Sequence, residues 1–85
     1  MPEEEIGVIS NFFSKISVAA ITITSGELKV GDTIRIKGST TDLTQTIDSM
    51  EIDRKPVQKA GFGSSVGVKV KERVRANDLV FKVTP

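Results

Sequence analysis

Lys69, Lys71, Arg73 and Arg75 occupy every second position of one segment. If a strand runs through all four, they share one face at intervals of roughly 6.6 Å, a row of cations able to meet successive phosphates of an RNA backbone. Residues 54 to 82 add Arg54, Lys55, Lys59 and Lys82 against only Glu72 and Asp78, a local excess of +6 in a chain whose net charge is +1. The alternative is plain solvation: any outward strand face carries charge, and a strand that ends near Glu72 scatters the two arginines. A second polar concentration is Gly38-Ser39-Thr40-Thr41-Asp42-Leu43-Thr44-Gln45-Thr46. Thr40, Thr41 and Gln45 offer donors and acceptors to sugar, phosphate or a small ligand. Asp and Thr side chains also shape turns by bonding their own backbone, which needs no ligand.

Phe62 stands between Gly61 and Gly63 and is the best candidate for an exposed ring that docks a partner or stacks on a base. Of the neighbours Phe12 and Phe13, one can point outward, because successive strand residues face opposite ways. The chain holds no Cys, His, Trp or Tyr. Thiol nucleophiles, Ser-His-Asp triads, disulfides and zinc sites built on thiolate or imidazole are therefore excluded. Its serines have no activating base, and its carboxylates show no spacing that forces convergence. Gly61-Phe62-Gly63-Ser64-Ser65 lacks the Lys and the following helix of a phosphate-binding loop. No catalytic residue, metal site or cofactor is expected, and the chain reads as a non-enzyme.

The elements that must carry these residues are strands. Ile6 to Phe13 and Ile16 to Thr24 are rich in Ile, Val, Phe and Thr, which suit a pleated surface. Gly26 and Gly31 frame Leu28 in a turn, since glycine takes positive φ without steric cost. From Asp32 to Lys37, Ile34 and Ile36 alternate with Thr33, Arg35 and Lys37, which predicts a strand with apolar groups inward and cations outward. Thr44 to Asp53 resumes strand character with a bulge near Ser49. Pro56 predicts a turn, and Val57 to Phe62 an irregular or short helical turn. Val66 to Val70 alternates again, Asn77-Asp78 turns the chain, and Leu79 to Val83 closes it.

These are about six strands in 85 residues with no helix of ten, so the expected fold is all-β: one small domain over residues 1–85, closed as an antiparallel barrel, with residues 1–5 a flexible N-terminus. A chain this short buries only about 60–65% of its unfolded surface, so it needs a tight core or a partner. No run of about 18 apolar residues spans a membrane, and Met1-Pro2-Glu3-Glu4-Glu5 is acidic where a secretory signal is basic, which predicts a cytoplasmic protein without membrane partners.

Gly26-Glu27-Leu28-Lys29-Val30-Gly31-Asp32 and the strand after it resemble the Gly-x-Leu-Lys-x-Gly-Asp turn in the second, β-barrel domain of translational GTPases such as elongation factor Tu. In order, Ile47 through Met50 resembles that domain's return strand. Val57, Ala60, Gly63, Val66 and Gly67 resemble its Val-x-x-Ala-x-x-Gly-x-x-Val-Gly segment, and Val74 through Val80 its final turn and strand. Thr40 to Gln45 is similar to small stand-alone elongation-factor-like proteins. The resemblance covers Gly7 to Val83. It implies a translation-factor-like barrel without a GTPase domain that binds structured RNA, ribosomal or transfer RNA, or the ribosome. Lys69, Lys71, Arg73 and Arg75 then neutralise phosphates, and Thr40, Thr41 and Gln45 contact sugar or backbone. Three or four phosphate contacts imply a log-affinity slope against log salt of roughly −2 to −4. The other reading is a protein-interaction module, an accessory piece of an RNA-modifying or peptidase-like enzyme, with Phe62 and its glycine loop as the contact.

Overall fold

A computed structural model describes residues 3 to 84. Ten strands follow one another: β1 (Glu3–Phe13), β2 (Val18–Ile23), β3 (Glu27–Lys29), β4 (Thr33–Lys37), β5 (Asp42–Thr46), β6 (Met50–Ile52), β7 (Lys55–Val57), β8 (Lys59–Gly61), β9 (Ser65–Lys69) and β10 (Leu79–Val83). No helix occurs among these residues. Eight strands form one antiparallel sheet in the order β5-β4-β10-β1-β2-β9-β6-β7, and β3 pairs with β8 across one end. None of the described residues forms a helix long and apolar enough to cross a membrane.

Alternation builds the core. β2 turns Ala19, Ile21 and Ile23 inward, β4 turns Ile34 and Ile36, and β9 turns Val66 and Val68. Ile6, Ile9, Leu28, Ile47, Met50 and Val80 join them in a single buried cluster. Each fully buried Ile, Leu or Met contributes roughly 1.5–3 kcal/mol of apolar transfer, which is what a domain this small depends on. Register shifts between Glu5 and Gly7 and between Ile9 and Asn11 let the eleven-residue β1 coil while pairing with both β10 and β2. Gly26 and Gly31 have φ of 68° and 97°, as the turn around Leu28 requires, and Leu28 itself enters the core from β3.

Four expectations are corrected. The sheet curls but does not close into a barrel: β5 ends one side and β7 the other. β6 pairs with β9 only at Met50↔Val68 and Glu51↔Gly67, so the edge of β9 beyond Val68 faces β5 with no ladder between them. A side chain fills that seam, as described below. The segment Thr44 to Asp53 is two strands rather than one bulged strand, because Ile47 finishes the β4–β5 ladder through bonds with Asp32 and Gly31 before the chain leaves for β6. Val57 to Phe62 makes strand pairs, not a helical turn. Glu3 to Glu5 are not a flexible end, since they pair with Val83, Lys82 and Phe81. Met1 and Pro2 lie outside the described residues.

Candidate functional site

The expected row of cations breaks at its first member. Lys69 is the last residue of β9, and Lys71, Arg73 and Arg75 follow in the connection to β10. Val70 turns inward with its N–H bonded to the Ser17 carbonyl, Val74 is buried, and the Arg75 N–H donates to the Asp78 carboxylate. The four cations are exposed and none forms an ion pair among the described residues, yet they do not share a strand face.

Gln45 has a structural task. It is 6% exposed, its amide N–H donates to the Lys69 carbonyl at 2.9 Å, and its amide oxygen accepts from the Lys71 N–H at 2.9 Å. One amide thus imitates a strand partner for β9 and bridges the seam to β5. Thr41 is buried as well, its carbonyl accepting from the Gly38 N–H at 2.8 Å, while Thr40 is exposed at the turn. The hydroxyl-rich string therefore shapes the β4–β5 connection, and Thr40, Thr41 and Gln45 do not converge on a common surface. On the outer face beside it, Arg35 donates two bonds of 2.9 Å to Asp42 and one of 3.1 Å to Glu3. The guanidinium's hydrogen bonds hold the Asp42 carboxyl below its ordinary value.

Phe62 is where an exposed ring was expected, at 76% exposure. Its turn is pinned at the backbone: the Ser64 N–H donates to the Gly61 carbonyl at 3.1 Å, the Gly63 N–H donates to the Ile23 carbonyl at 2.9 Å, and the Ile23 N–H donates to the Ser64 carbonyl at 2.9 Å. Gly63 has φ of 85°, the third-position conformation of a type II turn that glycine favours. A rigid backbone that presents a bare aromatic ring is suited to docking, because little ordering is left to occur on contact.

Sequence reasoning missed a groove of about 420 Å³ on the outer face of β2, β9 and β6. Phe13 and Ile16, 47% and 61% exposed, form one wall, and Glu51, Asp53 and Arg54 form the other. Its residues come from three separate segments brought together by strand register, so no local motif could announce it. No group of three or more His, Cys, Asp or Glu among the described residues could hold a metal ion.

The class of protein to which the chain is similar is the proteases. It is 45% identical over 78 residues, 91% of its length, to an uncharacterized protease of Methanocaldococcus jannaschii, and 36% identical over 78 residues to a collagenase of Porphyromonas gingivalis. These matches cover 19% and 22% of the two relatives, so the chain spans about a fifth of their length. Among solved structures, the C-terminal domain of a Geobacillus thermoleovorans U32 peptidase superposes with a TM-score of 0.87 at 18% identity, over 95% of this chain and 93% of that one. GDP-bound aIF5B from Aeropyrum pernix superposes with a TM-score of 0.67 at 13% identity, over 98% of this chain and 14% of that one. At such identities both show the fold alone. No family model matches the chain.

These findings correct the functional expectation. The relatives are proteases rather than elongation-factor-like proteins, which overturns the translation-factor, RNA-binding and ribosome-associated reading and the expectation of a non-enzyme. The physical reason is that a glycine corner and alternating strands answer to backbone geometry and burial. They specify a scaffold and not the chemistry attached to it.

Proposed function

We propose that this chain serves as a C-terminal-type domain of a U32-like peptidase, and that its contribution to proteolysis is binding. The observation that carries this reading is the 45% identity to about a fifth of a protease over nearly the whole chain, on a fold matched by a peptidase C-terminal domain. Phe62 on its rigid turn is the contact to the rest of the peptidase, an aromatic anchor of the kind that dominates protein interfaces.

The test is a segment exchange in the Porphyromonas gingivalis collagenase, read as cleavage of gelatin. Deleting the matched 78 residues should abolish or sharply reduce cleavage, and inserting this chain in their place should restore it. The same chimera with Phe62→Ser should lose most of the restored activity while its circular dichroism is unchanged. A folded chimera that stays inactive, or a deletion that cleaves as well as the intact protein, would overturn the proposal.

A further inference from the structure

The groove on the outer face has a floor made by absence of side chains. Register sets Ala20 of β2, Gly67 of β9 and Glu51 of β6 in one row across the sheet, so two small residues separate the apolar wall from the acidic one. A Cβ at Gly67 would stand 3.2 Å from Val18 Cγ1 and 3.8 Å from the Glu51 carbonyl, so any larger residue there fills the trough. Above the floor, Phe13 and Ile16 remain exposed although a single apolar core lies within reach of the same strands.

The two turns that frame the groove are held in costly conformations. Ser17, between the lining residues Ile16 and Val18, has φ of 56°. Asp53 and Arg54, both φ-positive at 52° and 65°, form the two-residue hairpin from β6 to β7. These are three of the four non-glycine residues with positive φ among those described. Such hairpins favour Asn-Gly, and backbone strain of this kind gathers where a surface is shaped for contact.

Charge selects the occupant. Glu51 and Asp53 are exposed and make no ion pair among the described residues, against the single cation Arg54, so the rim is net acidic. We propose that this groove binds an extended polypeptide through a large apolar side chain seated over Ala20 and Gly67, followed by a basic residue paired with Glu51 and Asp53. This rests on the peptidase reading and deepens it: the groove holds substrate, and its specificity is for apolar-basic pairs. Burial of the ring supplies affinity, and the carboxylates set direction along the strand.

The 85-residue chain is titrated with the capped peptide Gly-Ala-Phe-Arg-Ala-Gly and with its Phe-to-Ser and Arg-to-Glu variants, followed by amide chemical shifts. The parent peptide should shift Ala20, Gly67 and Glu51, the Ser variant should bind roughly tenfold more weakly or worse, and the Glu variant about fivefold more weakly. Ile16→Ser should weaken the parent peptide. Glu51→Lys should reverse the preference between the Arg and Glu peptides, an effect that misfolding cannot imitate. Ser39→Ala, on the exposed β4–β5 connection away from the groove, should leave all affinities unchanged. Absence of binding, equal binding of the three peptides, or no reversal in Glu51→Lys overturns the inference. A gelatin-active chimera without peptide binding removes the groove's role and leaves the peptidase-domain reading; peptide binding with an inactive chimera does the opposite.

Discussion

Asp78 is the residue on which most of one corner turns. Its carboxylate accepts the Arg75 N–H at 2.9 Å, its carbonyl accepts the Ile9 N–H at 2.8 Å, and the side chain presses against Gly38. A Cβ at Gly38 would collide with the Asp78 carboxylate, so the glycine is required by space. Gly38→Ala should therefore destabilise the chain by about 1–3 kcal/mol in urea unfolding, with Asp78→Asn in the same background recovering little because the bulk persists. Gln45 is the comparable residue on the other side of the sheet. Gln45→Ala takes the partner from the Lys69 carbonyl and from the Lys71 N–H, two part-buried bonds worth about 0.5–1.5 kcal/mol each, with faster hydrogen exchange at Lys71 as the local signature. Neither role is visible in the sequence. A Gln after a Thr-rich turn looks like a ligand contact, and only the return of β9 twenty-four residues later gives it a backbone to hold.

At the level of elements, legibility followed periodicity. β4 and β9 were readable because alternation in a half-buried strand is written residue by residue, and β10 because the Asn77-Asp78 turn marks its start. β7 was hidden by Pro56, which suits a terminal strand of the sheet because its missing N–H costs nothing where no neighbour accepts from it. β3 and β8 were hidden by their length of three residues. Phe62 could be found because its glycines flank it directly, whereas the groove depends on β2, β9 and β6 aligning over long sequence separations. The element with a clear pH signature is β5, tied to β4 and β1 by Arg35. The Asp42 carboxyl is held below its unfolded value, so its contribution is fully present above the unfolded value near 3.9 and is lost as pH falls through the lower, folded one. Thermal melts from pH 6 to pH 2 should show Asp42→Asn less stable than the native chain at the upper end, with the gap closing toward the lower.

For the whole molecule, the order of the strands matters more than any pair of them. β10 lies between β4 and β1, and β1 joins β10 to β2, so the first and last strands together hold the two halves of the sheet. Val80, the second residue of β10, is completely buried and so marks a sensitive point. Val80→Asp places an unpaired carboxylate in the core and should abolish the cooperative unfolding transition seen by circular dichroism. The same topology makes most contacts long-range in sequence, which places folding in the slow, millisecond-to-second regime of β-rich domains.

That placement of β10 also governs how the molecule comes into being during synthesis. Until residues 79 to 83 have left the ribosomal exit, β4 and β1 have no common neighbour and the half-made sheet stays split. A premature stop just before codon 79 would thus be as ruinous to this sheet as one within β1.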